Sequence, residues 1–303
     1  MASEPDRNES ALDVALGFAL TQRDARGRLV RLGPVLDEIL SAHDYPVPIA
    51  RLLAEALVLT ALLGATLKDA GGQLTLQAQT EAGVVDLLVA DYKGGELRGY
   101  VRFDLDRLAE QPAAPSLFSL FGKGYLAITF DQAASNERYQ GIVPLEGASL
   151  AEAVENYFVQ SEQIPSLVRL AVGEGGRIAG GLLLQHLPEG EEGRERLHAR
   201  ENRPEWEHVL ALGRTVAPAE LADPALPLET LLWRLFHEEE EVRLLSNIPL
   251  GKGCRCNAEH VRGVIARFAP EERAEMADED GFISVDCEFC SRIFPIRLDD
   301  LAG

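Results

Sequence analysis

Cysteine is missing from most of this chain. Only four of the 303 residues are cysteine, and none of them precedes Gly253. Positive charge is also scarce, because 29 Lys and Arg stand against 49 Asp and Glu, which gives a formal net charge of -20. An acidic surface repels phosphate and anionic lipid, so we expect neither nucleic acid nor a membrane as a partner.

The sequence also lacks the apolar segments that carry proteins into membranes. Residues 1–10 are polar and acidic, without the apolar core of a secretory signal. The longest apolar stretch, Ala56–Leu67, is too short to span a bilayer and predicts a buried helix. We therefore predict a cytoplasmic protein. In that compartment, clustered cysteines bind metal or react with oxidants more often than they form structural disulfides.

Motifs of common enzyme classes are missing too. Gly122-Lys123-Gly124 lacks the rest of a Walker phosphate loop, and no Gly-x-Ser-x-Gly elbow occurs. The six histidines have no metal-ligand spacing and fall mostly in polar runs, where a solvated role is expected. We find no convincing catalytic constellation and expect a protein that is not an enzyme.

What is present begins with a mixed pattern of helices and strands from Val14 to Leu187. Apolar runs predict helices at 34–41 and 49–68, and alternating apolar residues predict strands, with a hairpin at 93–95. Ser149 and Glu152 have the spacing of a capping box at the start of a helix that ends near Gln163. Helices and strands do not alternate strictly. We therefore predict an α+β fold with a mostly antiparallel sheet packed with helices.

The pattern divides the chain into four parts. Residues 1–10 are predicted to be a disordered extension, and residues 11–187 to be the N-terminal α+β domain, here called the N-terminal domain. Residues 188–249, here called the linker, are predicted to be helical and metastable. Residues 250–303, here called the cysteine module, are predicted to bind zinc.

The linker is polar enough to detach and apolar enough to dock. Charged residues dominate 189–208 and predict a solvated, weakly specified stretch. Beyond it, short amphipathic helices would need a larger surface to pack on. An ordinary helical subdomain explains the composition equally well. The positions predicted to form the cover of the N-terminal domain are Leu228, Leu231, Leu232, Leu235 and Phe236.

Two further features of the linker carry expectations. Trp233 is expected to pack within the linker, like Phe236, rather than bind a cofactor. The acidic run His237–Glu241 is expected to be a solvated helix end rather than an acid–base site.

The four cysteines form two close pairs, Cys254-Arg255-Cys256 and Cys287-Glu288-Phe289-Cys290. Four thiolates in two pairs predict a tetrahedral zinc site whose coordination shell is closed, so the zinc is not catalytic. The same thiols can instead close two short disulfides. The module has almost no core of its own and would need the metal to hold it together. Its 7 basic and 11 acidic residues argue against a nucleic-acid ribbon.

These cysteine pairs occur together with Arg138-Tyr-Gln-Gly-Ile-Val-Pro-Leu-Glu-Gly147, the helix after Ser149, and Arg234-Leu-Phe-His-Glu238. The combination resembles the redox-regulated heat shock protein 33 chaperones, over about residues 12–301. The chain departs from that family in its acidic N-terminal extension and in an expanded charged stretch around 190–203.

The resemblance implies an ATP-independent holdase chaperone. In the reduced form one zinc would be held by the four cysteines, and the linker would cover the apolar surface of the N-terminal domain. Oxidation would pair Cys287 with Cys290 and Cys254 with Cys256, release the zinc and unfold the linker. The exposed surface would then capture unfolding client proteins, and the active form would be a homodimer. Because its ring is tighter, we expect the Cys254–Cys256 disulfide to form second.

Two other classes of function remain open at this stage. The chain could be a constitutive scaffold or adaptor whose zinc is purely structural, in which case an oxidant would only damage it. A disulfide oxidoreductase that uses Cys287 and Cys290 is less favoured, because the surrounding sequence lacks a thioredoxin-like pattern.

Overall fold

The structure is a computed structural model that describes residues 12–67, 71–133, 137–187 and 204–301. The predicted disordered extension, residues 1–10, and the charged stretch 190–203 lie outside the described residues. The strands are β1 (Val14–Leu20), β2 (Ala25–Leu32), β3 (Gln73–Thr80), β4 (Val85–Lys93), β5 (Glu96–Phe103), β6 (Gly124–Gln132), β7 (Glu137–Pro144), β8 (Ser166–Val172), β9 (Ala179–His186), β10 (Val242–Pro249), β11 (Gly251–Lys252), β12 (Phe282–Asp286) and β13 (Ile293–Arg297).

Helices occur among the strands of both sheets and in the C-terminal part of the described chain. They are α1 (Pro34–Leu40), α2 (Val47–Gly64), α3 (Leu105–Ala109), α4 (Leu117–Phe121), α5 (Leu150–Tyr157), α6 (Pro204–Arg214), α7 (Pro218–Leu221), α8 (Leu228–Phe236), α9 (Ala258–Ile265) and α10 (Pro270–Met276). The predicted α+β class is therefore confirmed.

Two sheets are built mainly from strands of the N-terminal domain, rather than the single sheet that was predicted, and each gains one edge strand from the C-terminal part of the chain. Five strands are ordered β10-β1-β2-β9-β8, and six are ordered β11-β5-β4-β3-β6-β7. Within the described residues every pairing is antiparallel except that of β11 with β5. The predicted hairpin joins β4 to β5, where Gly94 and Gly95 have φ values of 58° and 91° that glycine adopts without strain.

Helix α2 forms the centre of the main core and contacts strands of both sheets. Its length and its mean hydropathy of 1.8 would suffice to cross a membrane, but 72% of it is buried inside the fold. The helix begins two residues earlier and ends four residues earlier than the predicted 49–68, and burial explains its apolar composition. The prediction of a buried helix is confirmed.

The predicted capping box is half right. The amide of Glu152 donates to the Ser149 hydroxyl at 3.3 Å, as expected. The Glu152 carboxylate, however, accepts from the amide of Ala148 at 2.7 Å, one residue before the helix cap. The α-helix ends at Tyr157 and continues as one π-helical turn, which closes at Gln163 in the left-handed conformation.

The linker is helical only in part. Helices α6, α7 and α8 are present, but its last eight residues form β10, which pairs with β1. Local sequence did not predict this strand because its partner lies more than 200 positions away. The start of α6 also falls inside the stretch expected to be weakly specified, yet Trp206 is only 6% exposed.

The cysteine module has a small core and the short β12–β13 hairpin. The residues of its core are Ile265, Ile283, Ile296 and Leu301. Helices α9 and α10 lie between the two cysteine pairs, and β12 leads into Cys287. A core of four side chains supplies little burial, so cross-links at the cysteines would contribute most of the module's stability.

Candidate metal centre and linker interface

The four cysteines meet in space as one cluster. Their Sγ atoms all lie within 4.8 Å of one another. The Sγ separations are 3.3 Å for Cys254–Cys256, 3.6 Å for Cys254–Cys287 and 3.5 Å for Cys256–Cys290. All four are free thiols. Cys254 and Cys256 lie between β11 and α9, while Cys287 and Cys290 lie in the turn of the β12–β13 hairpin.

Backbone hydrogen bonds fix the second cysteine pair. The amides of Cys290 and Ser291 donate to the carbonyl of Cys287 at 3.1 and 2.8 Å, and the Cys287 amide donates to Arg292 at 3.0 Å. Ser291 takes a left-handed φ of 54° and reverses the chain. This turn holds the sulfurs of Cys287 and Cys290 on the same side as the first pair.

The close approach of the four thiols shifts their pKa values in different directions. Burial acts to raise the pKa of Cys254, but hydrogen bonds from the Cys256 amide and the neighbouring thiols outweigh it and lower the pKa to about 7. Burial and the same neighbours raise the pKa of Cys256, and burial raises that of Cys287. Four thiols this close cannot all ionise without a cation, because the like charges repel.

A divalent metal ion fits this cluster. An ion about 2.3 Å from each of four sulfurs in a tetrahedron sets them about 3.8 Å apart, close to the separations found here. Its charge would stabilise all four thiolates together. His260 is not part of the cluster; its amide donates to the Asn257 side chain at 2.7 Å at the start of α9.

The residues between the cysteines dock the module on the six-stranded sheet. Arg255 donates to the side chain of Gln73 at 2.5 Å and lies 3.9 Å from the Asp91 carboxylate. Phe289 contacts the Arg98 guanidinium, 3.9 Å from its ring centroid, and forms a T-shaped pair with Tyr100 at a centroid distance of 4.9 Å. Both cysteine pairs therefore carry a side chain that contacts the N-terminal domain directly.

Two further contacts hold the module in place. β11 pairs in parallel with β5, so that the chain enters the first cysteine pair along the edge of the sheet. After the second pair, the Ser291 hydroxyl donates to the carbonyl of Ala42 at 2.6 Å and lies 3.2 Å from Nδ1 of His43. The buried carboxylate of Asp91 lies between the sheet and the module, because it binds Arg98 of β5 at 2.6 Å and is 3.9 Å from Arg255.

The linker helices pack on the face of the five-stranded sheet that points away from α2. Phe236 of α8 meets Phe18 of β1 with ring centroids 5.7 Å apart. All five predicted cover positions are at most 7% exposed. The apolar sheet residues beneath the helices are Leu16, Phe18, Leu20, Leu29, Leu167, Ala171, Leu182 and Leu184.

Two expectations about α8 and its end were wrong. Trp233 is 65% exposed and contacts only the ring of His237 among the aromatic contacts of the described residues, because the other face of the helix is the one that docks. The acidic run is not wholly solvated, since the Glu239 side chain is only 4% exposed.

Glu239 forms the polar end of the linker interface. Its carboxylate accepts from Arg23 at 2.7 Å and lies 2.7 Å from Nε2 of His208, which was expected to be solvated. Arg23 also pairs with Glu205 of α6. Burial acts to raise the pKa of Glu239, but the hydrogen bonds from Arg23 and His208 outweigh it and lower that pKa. Only contacts between distant segments, invisible to local composition, could identify this residue.

Comparison with known proteins gives a consistent result. The sequence profile of the family described as Hsp33 protein matches residues 13–297. The 33 kDa chaperonin of Caulobacter vibrioides is 45% identical over 294 residues, which is 94% of each chain. The 33 kDa chaperonin of Ectopseudomonas mendocina is 38% identical over 292 residues, 96% of this chain and 94% of that one.

A solved structure shares the fold. The 33 kDa chaperonin of Thermotoga maritima superposes with a TM-score of 0.76 at 22% identity, over 95% of this chain and 96% of that one. The match of the family profile to most of the chain, together with identities up to 45% among these relatives, settles the relationship. The chain belongs to the Hsp33 family of chaperones.

Proposed function

We propose that this protein is a redox-regulated, ATP-independent holdase chaperone of the cytoplasm. The observation that carries the proposal is the position of the four-sulfur cluster. It lies in a module with almost no core, docked on a domain whose apolar sheet face is covered by short helices. Loss of order at the cysteines can therefore reach the cover. The units that would act are the N-terminal domain at 11–187, the linker at 188–249 and the cysteine module at 250–303.

In the resting state we assign one zinc ion to the cluster, held by Cys254, Cys256, Cys287 and Cys290. Thiolate ligands favour zinc over the hard cations magnesium and calcium, and four of them leave no open coordination position. The ion would supply structural cross-linking and keep the sulfurs as thiolates, the form that oxidants attack.

Oxidation would convert the cluster into two disulfides, Cys287–Cys290 and Cys254–Cys256. In each, two thiolates and one peroxide take up two protons and give one disulfide and two waters. The sulfurs must approach from more than 3 Å to about 2.05 Å, and sulfurs in a disulfide no longer bind zinc as thiolates. The metal then leaves, and the module loses its main cross-link.

Release of the module would weaken the linker, which is attached to it through β10. The helices of the linker are too short to be stable once detached. Their departure would expose the apolar sheet face, which binds unfolding proteins and keeps them from aggregating. An exposed face of this kind also favours a homodimer as the active form. Nucleotide, nucleic acid and membrane have no part in the proposal, nor does enzymatic turnover.

Light scattering of a heat-denaturing client tests the proposal. The reduced zinc-loaded protein, the peroxide-treated protein, and the treated protein reduced again with zinc are compared while zinc release is measured. We expect suppression of aggregation only after oxidation, with about one zinc lost per chain, and reversal on reduction. Equal behaviour in all three states, or loss of function on oxidation, would make the protein a scaffold with structural zinc.

A further inference from the structure

Arg31 is a charged residue buried in the interface that the linker covers. It lies on β2 and is 0% exposed. Strand alternation directs it to the same side as Leu29, which packs against the linker helices, whereas Val30 and Leu32 pack toward α2. A guanidinium therefore lies within the apolar face proposed to bind clients.

The partners of Arg31 are all backbone carbonyls of the linker. Nε donates to the carbonyl of Leu221 at 2.9 Å, and Nη2 donates to that of Glu220 at 2.9 Å. Nη1 donates to the carbonyl of Leu226. In the part of the chain that the structure describes, no carboxylate hydrogen-bonds this guanidinium. Its partners are the end of α7 and the loop before α8.

This arrangement recognises main chain rather than side chains. Carbonyls at the end of a helix and in a loop have no partner within the helix, so they can accept from an external donor. Arginine presents five N–H donors in a fixed planar fork and remains charged at any physiological pH. A single buried guanidinium thus engages three carbonyls of the linker at once.

Departure of the linker would leave this fork without partners on an apolar surface. A buried or half-buried charge without hydrogen bonds is costly, so the fork would favour any ligand that supplies carbonyls. An unfolding protein supplies carbonyls at every residue, whatever its sequence, because its backbone hydrogen bonds are broken. Its apolar side chains would pack on the sheet residues that α8 has left.

We propose that Arg31 is a receptor site for the backbone carbonyls of extended polypeptide. The linker occupies this site in the closed state, and an unfolding client replaces it in the open state. The inference rests on the proposed function and extends it, because it assigns one element of client recognition to the main chain.

The test uses the full-length protein after oxidation and removal of zinc. Binding of a fluorescently labelled, permanently unfolded polypeptide is measured by anisotropy, and binding of an apolar naphthalene dye without carbonyls is measured in parallel. In Arg31→Met we expect affinity for the polypeptide to fall about tenfold, since hydrogen bonds to a charged group are lost. Dye binding should stay the same or increase.

Arg26→Met is the matched control. Arg26 lies on the same strand but on the opposite face, where it donates to Gln185 at 3.1 Å, so the same change of charge should leave polypeptide affinity unaltered. Arg31→Lys keeps the charge and loses the fork, and it decides the question if Arg31→Met does not fold. We expect it to bind polypeptide more weakly than the wild type does.

The two possible failures are distinguishable. If the oxidised wild type binds no polypeptide, the proposed function itself is wrong. If the wild type binds it, and both Arg31 variants bind it equally tightly, Arg31 serves only to dock the linker and the inference is overturned. A docking role alone predicts easier opening in the reduced state with unchanged affinity in the open state.

Discussion

At the scale of single residues, the linker is held by polar groups as well as by apolar contacts. Glu239 joins the segment after α8 to Arg23 near β1 and to His208 of α6. Arg23 carries a positive charge, so the carboxylate binds it best when it is ionised. The contacts of Glu239 with Arg23 and His208, here called the clamp, add a charge-dependent contribution to linker docking that the apolar cover alone would lack.

Glu239→Gln should weaken that contribution in the reduced protein. The amide keeps the shape but loses the charge, and we expect linker docking to lose about 1–2 kcal/mol. Amide hydrogen exchange in α6 and α8 would report this as faster exchange. Glu241→Gln is the control, since the ion pair of Glu241 with Arg243 is exposed and contributes little to stability. Equal exchange in the two variants would contradict a role for the clamp.

The pH dependence of docking follows from the same pKa. Because the folded-state pKa of Glu239 is lowered, its contribution is present above the ordinary carboxyl pKa and is lost as pH falls through the lowered value. We expect the protection of the α6 amides, measured relative to the intrinsic exchange rate at each pH, to fall in the wild type over that acidic range. The Glu239→Gln variant should show a smaller change, and a wild type that shows no difference from the variant there would exclude this linkage.

At the scale of elements, some structures could be predicted locally and others could not. The cysteine cluster was predictable because two close pairs can supply the four ligands of a tetrahedral metal site in many different folds. Helix α8 was predictable because its apolar positions repeat on one face. Strand β10 was not, because its pairing with β1 is set by a distant part of the chain. The role of Glu239 was missed for the same reason.

The two docking side chains, Arg255 and Phe289, also illustrate this limit. Their positions between cysteines indicated nothing about the N-terminal domain, yet each contacts the six-stranded sheet. The cysteine turns and the sheet are therefore coupled directly, without passing through the linker.

Removal of the Phe289 contact should speed metal loss. We expect Phe289→Ala to cost about 1–2 kcal/mol of docking, from the cation–π and edge-to-face contacts, and to raise the rate of zinc release under peroxide several-fold. A chromogenic chelator follows the release. Phe268→Ala, an exposed aromatic residue of the same module, should have little effect.

A double-mutant cycle separates docking from a change in thiol reactivity. Tyr100→Ala removes the same contact from the sheet side and leaves the cysteine turn intact. If docking controls the rate, Tyr100→Ala should also accelerate zinc release. The acceleration in the double variant should then be smaller than the sum of the two single effects, expressed as free energies, because both changes remove the same contact. Full additivity of the two changes would assign the effect of Phe289 to the thiols instead.

At the scale of the whole molecule, the largest apolar core lies around α2, and the clusters of the linker interface and the cysteine module are smaller. The N-terminal domain has its own core around α2, whereas the linker helices and the cysteine module depend on contacts with it. Local opening of such parts needs far less free energy than global unfolding. Under the proposed function, we therefore expect the sheet face to become exposed while the N-terminal domain stays folded.

The dependence of the linker helices on docking predicts that the cover can be opened without any oxidant. Replacement of both Leu231 and Leu232 by Ser removes two buried side chains from the interface, at a cost of about 2–5 kcal/mol each. That exceeds what short helices can lose and still remain docked. We expect the reduced, zinc-loaded double variant to suppress aggregation of a heat-denaturing client, with its zinc retained. Trp233→Ser, on the exposed face of the same helix, should remain inactive until oxidised. A double variant that stays inactive when reduced would mean that the client-binding surface lies beneath another part of the chain.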